Sequence, residues 1–285
     1  MTTDKSTYRN MVLNGLALCV LALNLTGPVH EGVHMLTQMA AGLTPHFLSF
    51  GVMDAVGTPT VDMSSPFWKL MFAGSAAIFN VCVGLVLAAV LRFCKLRPLS
   101  RQFSLLLCVL HLCMGFGYFL RDGIAYSPNN GMGDWSKVLD NFDGSLPLRI
   151  GMLVVGAAGW LLALYIVYRE AYHFIEHNDD QRERMQVASA LYLWPYLFNA
   201  VVMTLVNLSS PLDPMQSLFI GGILNVFGYF PLFIGGLYVG KLLKPMKQSI
   251  YYFSPCAEPK ALLWVAAVAA LIFDALVLCP GIYFS

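Results

Sequence analysis

Long apolar runs, separated by short polar segments, organise this chain. A helix needs roughly 20 predominantly apolar residues to cross about 30 Å of hydrocarbon. Seven runs approach or exceed that length, and each is interpreted as a membrane-spanning helix. They cover residues 11–25, 68–91, 103–120, 148–168, 187–208, 218–239 and 261–282. The pattern therefore predicts an all-α fold, a polytopic transmembrane bundle of about seven spans that forms one integral membrane domain over residues 1–285.

The first apolar run does not stop at residue 25 but resumes after Gly27-Pro28 and continues to Leu43. Residues 11–43 in one helix would extend about 48 Å, which is too long for a straight span. Pro28 removes an internal hydrogen bond, so we expect a kink or break there. The following segment, 44–65, is rich in Gly, Pro and Thr and alternates roughly between polar and apolar residues. It predicts a short membrane-associated β-hairpin after the first helix.

Composition strengthens the membrane interpretation. Hydrophobic residues make up 58% of the 285 positions and charged residues 12%, whereas soluble domains carry about 25% charged residues. This balance excludes a solvated globular surface and a disordered chain. The net charge of +1 gives no indication of a basic surface that would bind nucleic acid. The apolar composition makes the lipid bilayer the expected surroundings of the chain.

Basic residues predict the orientation. Alternate loops and ends hold 13 of the 17 lysines and arginines on one side, beginning with Lys5 and Arg9, and 4 on the other. Because basic residues concentrate in cytoplasmic loops, we expect the N-terminus in the cytoplasm.

The clearest chemical motif is His30-Glu31-Gly32-Val33-His34, which reads H-E-x-x-H. Residues four apart share one face of a helix, so both imidazoles can reach one metal ion. Glu31 can then act as general base on a metal-activated water, and zinc is the usual ion for such ligands. Ionisable residues beside an apolar span are costly and commonly functional.

A second pattern, H-x-x-E-H, occurs at His173–His177. It lies within a charged stretch from Arg169 to Arg184, where polar residues carry no burial penalty. We interpret this stretch as the solvated end of the fourth helix followed by a cytoplasmic loop.

A catalytic zinc ion usually has three protein ligands, so the motif lacks one. By the charge pattern, the loop of residues 121–149 lies on the same membrane side as the motif. Its acidic residues are Asp122, Asp134, Asp140 and Asp143. Asp134 is favoured because adjacent glycines allow close backbone approach and Trp135 suits a membrane interface. Asp122 is the alternative, and His46, the other acids or the absence of a third ligand remain open.

Two further polar residues lie within apolar helices. His111 either binds a metal or carries a proton, or it is a neutral histidine that is hydrogen-bonded to a backbone carbonyl. Asp274, in the last span, is expected to make interhelical hydrogen bonds.

Three segments together resemble a known family, the site-2 protease-like intramembrane zinc metalloproteases, and within it the short bacterial members without a PDZ domain. HEGVHMLTQMAAGL (residues 30–43) resembles the family's metal-binding helix. AGSAAIFNVCVG (73–84) resembles its small-residue second core helix, and GYFLRDG (117–123) followed by GMGDW (131–135) resembles the region that supplies an aspartate ligand. The resemblance covers roughly residues 20–140. The family's Asn-x-x-Pro-x-x-x-x-Asp-Gly form is absent around both Asp122 and Asp134.

The resemblance implies a metalloprotease core over residues 1–140 and additional transmembrane helices over 141–285. It implies a zinc endopeptidase that cleaves transmembrane or membrane-proximal peptide bonds of a membrane-protein or peptide substrate. His30, His34 and Asp134, or alternatively Asp122, would hold the zinc, and Asn80 would contact the substrate backbone. Residues 44–65 would guide an extended substrate by strand addition. The expected location is a bacterial inner membrane.

Two alternatives stay open. One is a non-proteolytic metal-binding membrane protein, either a metal transporter or an assembly factor. The other is an inactive protease homologue that keeps the motif for structural reasons. The sequence contains no indication of the oligomeric state.

Overall fold

The structure is a computed structural model that describes residues 5–128, 133–177, 179–208, 210, 228–235 and 258–284. The predicted span 218–239 lies mostly outside these residues. The described helices are α1 (Lys5–Asn24), α2 (Gly27–Ala40), α3 (Pro66–Phe93), α4 (Pro98–Ala125), α5 (Asp134–Asn141), α6 (Leu146–Ala171), α7 (Gln181–Ala188), α8 (Trp194–Asn207) and α9 (Ala261–Phe273).

Six helical stretches in the described part of the chain are long and apolar enough to cross a membrane. They are Lys5–Ala40, Pro66–Phe93, Pro98–Ala125, Leu146–Phe174, Gln181–Asn207 and Ala261–Leu278. These stretches are compatible with an integral membrane protein and agree with the predicted helical bundle. Helices α3, α4, α6 and α8 each begin with a proline in the first turn, where its missing N–H disrupts no intrahelical hydrogen bond.

The first span is broken as predicted. Helix α1 ends at Asn24 and α2 begins at Gly27, so Pro28 lies in the first turn of the second helix rather than inside a continuous one. The Thr26 amide bonds to the Leu23 carbonyl at 2.9 Å, and its hydroxyl donates to the Ala22 carbonyl at 2.8 Å.

The predicted β-hairpin is present and has an additional strand. Strands β1 (Thr44–Leu48) and β2 (Met53–Val56) pair antiparallel, with a register shift between Pro45 and Phe47. A third strand, β3 (Ile282–Tyr283), pairs with the other edge of β1, which makes the sheet order β2-β1-β3.

The prediction that the last span runs to residue 282 was therefore wrong. Helix α9 continues as a π-helical turn, Asp274–Leu278, and ends there. Pro280 lacks the amide hydrogen that would extend the helix, and Gly281 has a positive φ of 95° that turns the chain into β3. Apolar composition alone does not distinguish the end of a span from a short strand.

Helix α4 is the central element of the bundle and packs against α1, α3, α5 and α6. The expected interhelical hydrogen bond of Asp274 is present: the Asn24 side-chain amide donates to its carboxylate at 2.9 Å. This bond joins the end of α1 to the π-helical turn after α9.

The interpretation of residues 169–184 as a solvated stretch was wrong for the charges near its two ends. Glu170 is fully buried and accepts hydrogen bonds from Arg101 at 2.8 Å and Arg169 at 2.6 Å. Glu183 and Arg184 are also buried, whereas Glu176 and His177 are exposed. Buried charges are tolerated when they are paired, and a pairing partner 69 residues away leaves no local pattern in the sequence.

Candidate metal centre

The two motif histidines lie on one face of α2, as their four-residue spacing requires. Asp134, the first residue of α5, approaches them from another part of the chain. Its Oδ2 atom lies 3.0 Å from His30 Nε2 and 3.0 Å from His34 Nε2. His30 is fully buried, and the Asp134 side chain is 18% exposed. The arrangement joins α2 and α5 at one point.

These three side chains fit a metal ion. One ligand atom from each lies within 4.8 Å of the others. Tetrahedral zinc bonds of about 2.0–2.2 Å would place neighbouring nitrogen and oxygen ligands roughly 3.3 Å apart, close to the observed 3.0 Å. Within the described ranges this is the one group of three histidine, cysteine or acidic side chains with such geometry. The cluster could hold a metal ion.

Asp122, the alternative third ligand, lies outside this cluster and holds α5 in place. Its carboxylate accepts hydrogen bonds from the backbone amides of Trp135 at 2.9 Å and Ser136 at 3.1 Å, and from Arg121 at 2.7 Å. The first amides of a helix have no intrahelical partner, so Asp122 supplies the cap that α5 lacks in its own sequence. A side chain at Gly133 would collide with this carboxylate.

Asn80 connects His30 to His111. Its amide lies 2.9 Å from His30 Nδ1 and 3.0 Å from His111 Nδ1, and it is fully buried. Thus His111 bonds to a side chain rather than to the backbone carbonyl considered above. When Nε2 of a histidine binds a metal, its proton resides on Nδ1. In the structure the Asn80 amide nitrogen faces His30 Nδ1, and the amide oxygen faces His111 Nδ1. Rotation of the amide by 180° places the oxygen where it accepts the His30 proton and the nitrogen where it donates to His111.

Asn80 was expected to contact a substrate backbone. In the structure both ends of its amide bond to histidines, and the residue is fully buried, so a substrate backbone finds no exposed Asn80 atom to contact. The geometry favours a role in orienting His30.

Aromatic stacking fixes the other side of His30. The Tyr118 ring stacks on the imidazole with centroids 5.1 Å apart and an interplanar angle of 5°. The Arg121 guanidinium lies 4.4 Å from the centre of the same tyrosine ring. Arg121 also pairs with Asp122. It therefore contacts both the tyrosine that stacks on His30 and the aspartate that caps α5.

Glu31 differs from its neighbours in having no hydrogen-bond or ion-pair partner among the described residues, although it is only 6% exposed. Together with His34 and Asp134 it lines a cavity of about 570 Å³. The motif therefore presents one buried carboxylate toward an internal space beside the three-residue cluster.

The remaining candidates lie elsewhere. His46 faces Asp54 across the hairpin at 3.8 Å, and Asp140 accepts a hydrogen bond from Tyr126 at 2.9 Å. In the second motif, His177 pairs with Glu183 at 3.0 Å. No described cluster of metal-binding geometry includes any of them.

The pKa of the Asp134 carboxyl is lowered from its ordinary value. Burial raises this pKa. The hydrogen bonds from His30 and His34, together with the charge on these histidines, lower the pKa by a larger amount. The carboxylate form, which is the form that binds metals, is favoured.

Two residues of the site were not found from the sequence. Tyr118 lies seven residues after His111 and thus on the same face of α4, a spacing that could have pointed to it. Lys137 lies one turn after Asp134 and lines the cavity. An exposed lysine in a loop region has no sequence signal that distinguishes it from other surface lysines.

Comparison of the chain with protein-family models, with curated proteins and with solved structures finds no match. The arrangement of the site therefore carries the functional argument.

Proposed function

We propose that this protein is a membrane-embedded zinc metallopeptidase that cleaves peptide bonds within or beside the membrane. The observation that carries the proposal is the placement of Glu31. Its carboxylate borders the cavity, adjoins both histidines in the sequence and makes no hydrogen bond or ion pair among the described residues. A structural metal site requires no such group, whereas hydrolysis requires a base.

His30, His34 and Asp134 are the residues that would hold the ion. Zinc bound there would supply a Lewis acid that polarises the carbonyl and lowers the pKa of water. Glu31 would accept the proton of the attacking water and return it to the leaving amine. Asn80, Tyr118 and Asp122 would keep the ligands in position. The cavity would exclude bulk solvent while it admits an unwound peptide.

The sheet bears on how a substrate would enter. Gly51, Val52 and Met53, at the turn and the start of β2, line the same cavity, and β2 is an edge of the three-stranded sheet. An unpaired edge can accept an extended peptide as a further strand. We propose this edge as the guide for the substrate backbone.

We also propose that the chain lies in a bacterial inner membrane with its N-terminus in the cytoplasm, which the distribution of basic residues supports. Labelling of single cysteines in intact cells tests this orientation. A cysteine at position 5 that reacts with a membrane-impermeant reagent from outside would reverse it.

The experiment that tests the function compares the wild type with Glu31→Gln. We expect purified wild type to contain about one zinc per chain and to cleave a membrane substrate. Glu31→Gln should keep the zinc and lose roughly 10²- to 10⁴-fold in turnover, the usual contribution of a general base.

Three outcomes distinguish the alternatives. Activity that survives Glu31→Gln with zinc retained would remove Glu31 as the base. Metal uptake into vesicles without proteolysis would identify a transporter. Purified protein without zinc and without proteolysis would identify an inactive homologue.

A further inference from the structure

The cavity extends well beyond the metal cluster. Its walls include Phe72 of α3, Met114 of α4, Trp160 of α6 and Asn207 of α8, together with Tyr229. Helices outside the segment that resembles the protease family therefore help to enclose it. The volume of about 570 Å³ lies within the roughly 300–1,000 Å³ of ligand-binding pockets.

Gly117, on α4, lines the same cavity as Trp160 and the metal cluster. A Cβ atom added at Gly117 would meet a single described atom within 4 Å, Trp160 Nε1 at 3.8 Å. Other glycines of the bundle serve close packing: a Cβ at Gly115 would lie 2.8 Å from the Ala77 carbonyl oxygen, and one at Gly156 would lie 2.7 Å from the Leu120 amide nitrogen. Gly117 is not required for helix contact, and its missing side chain leaves room in the cavity.

The indole of Trp160 points to an absent occupant. Its Nε1 atom is buried and has no hydrogen-bond partner among the described residues. A buried donor without an acceptor is costly, and buried polar atoms generally have a partner. Trp160 lines the same cavity as Gly117, and its Nε1 atom would lie 3.8 Å from a Cβ atom added there. A ligand in this cavity brings an acceptor within reach of the donor.

The space also adjoins the reacting centre. Gly117 precedes Tyr118, whose ring stacks on His30 at 5.1 Å. Consecutive Cα atoms are about 3.8 Å apart. Gly117 and Trp160 line the same cavity as Glu31, His34 and Asp134, so a substrate held at the cluster has this space within the cavity that it occupies.

From these observations we propose that the space over Gly117, closed by Trp160, is a specificity pocket for a large apolar side chain of the substrate. A carbonyl oxygen of the same substrate accepts the hydrogen bond of Trp160 Nε1–H. The proposal rests on the proposed function. It names the substrate class as segments with a bulky apolar residue next to the scissile bond, and it assigns α6 a role in selecting them.

The test uses zinc-loaded protein in detergent and a series of capped dipeptide hydroxamates. The members differ only in the side chain beside the hydroxamate, which is methyl, isobutyl, benzyl or indolylmethyl. We expect wild-type affinity to rise by about tenfold or more from methyl to benzyl, because apolar area is removed from water. In Gly117→Leu the benzyl and indolylmethyl probes should lose that gain, while the methyl probe binds within about twofold of its wild-type affinity.

Gly151→Leu is the matched control. Gly151 lies on α6, is exposed, and has no described atom within 4 Å of an added Cβ. This variant adds the same side chain outside the cavity and should bind the whole series as the wild type does.

A second variant tests the donor. Trp160→Phe keeps an aromatic ring and removes the N–H, so every probe that carries the carbonyl should bind about fivefold more weakly. Removal of that carbonyl from the probe should abolish the difference between Trp160→Phe and the wild type. Unchanged binding in Trp160→Phe would show that the pocket takes a purely apolar group, such as a lipid acyl chain, and would overturn the proposal.

Wild-type affinity that is independent of side-chain size, or large probes that bind Gly117→Leu and the wild type equally, would also overturn it. These results differ from a failure of the proposed function. In that case the zinc-loaded protein would bind none of the hydroxamates and would cleave no membrane substrate.

Discussion

At the scale of single residues, two aspartates twelve positions apart have different tasks. Asp134 touches both histidines, whereas Asp122 holds the backbone of the helix that carries Asp134. Both side chains affect the cluster, so a loss of zinc in Asp122→Ala or in Asp134→Ala would not by itself identify the metal ligand. The two can be separated by substitutions that preserve shape.

We expect Asp134→Asn to weaken zinc binding strongly, since an amide replaces a charged ligand. Asp122→Asn keeps an oxygen that can accept the Trp135 and Ser136 amides, so zinc affinity should fall only modestly, by about tenfold. Asp122→Ala should lower both zinc affinity and the melting temperature. Competition with a chelator measures the first quantity and thermal unfolding the second. Equal zinc loss in Asp122→Asn and Asp134→Asn would contradict this division of roles.

The hydrogen bonds of Asn80 lead to another prediction. Asn80→Ala leaves His30 Nδ1 and His111 without partners, so zinc affinity should fall by roughly 10- to 100-fold, as is usual for groups that orient a ligand. Asn199, also buried but on α8, provides the control, and Asn199→Ala should keep the wild-type zinc affinity. If Asn80 instead contacts substrate alone, Asn80→Ala would keep its zinc and change only substrate binding.

The sequence predicted part of this site for clear reasons. The helical period places His30 and His34 on one face, and the charge pattern with the neighbouring glycines favoured Asp134. The role of Asp122 was not predictable, because it depends on backbone amides 13 and 14 residues away. The bonds of Asn80 depend in the same way on how α3 packs between α2 and α4.

At the scale of elements, the three-stranded sheet combines a predictable and an unpredictable part. Polar and apolar alternation with flanking glycines indicated the hairpin of β1 and β2. Strand β3 has two residues and follows an apolar helix, so its sequence resembles the end of a span. Its pairing with β1 is a long-range contact that no local pattern encodes.

Gly281 makes the attachment of β3 testable. It has a φ of 95° and faces the Phe47 ring, with no room for a Cβ atom. Gly281→Ala should strain the backbone and displace β3. The amides of Phe50 and Phe284, which bond to Leu278 and His46, should then exchange their hydrogens faster.

Gly57→Ala is the control for backbone strain alone. Gly57 has a φ of 112°, but an added Cβ would only touch Leu43 at an ordinary 3.7 Å. Hydrogen exchange followed by mass spectrometry should show faster exchange at Phe50 and at residues 278–284 in Gly281→Ala only. The same change in both variants would mean that β3 does not depend on the contact between Gly281 and Phe47.

At the scale of the whole molecule, a buried ion cluster ties the bundle together away from the cavity. Glu170 of α6 bonds to Arg101 of α4, and Arg101 also donates to the Leu91 carbonyl of α3 at 2.9 Å. The three helices α3, α4 and α6 thus meet at the Arg101 guanidinium. The sequence suggested solvated charges here because it shows the residues but not their partners.

We expect Glu170→Gln to destabilise the protein by about 3–5 kcal/mol, because it leaves buried arginine charge without compensation. This corresponds to a fall of roughly 10 °C in melting temperature. Glu258→Gln, which alters an exposed pair with Lys260, should melt like the wild type. Zinc content per folded chain should stay unchanged in both variants. A melting temperature for Glu170→Gln equal to that of the wild type would show that the cluster has no stabilising role.

The hydrogen bond from the Phe50 amide to the Leu278 carbonyl has a consequence for biosynthesis. The two residues are separated by roughly 230 positions, which a ribosome translates in about 10–45 s. During that interval the cavity wall around Phe50 and Met53 has been made, but the contact that fixes it has not. The nascent chain must therefore keep its first helices and an open strand edge until the last helix has been made. That delay is when a chaperone would have most effect on the yield of finished protein.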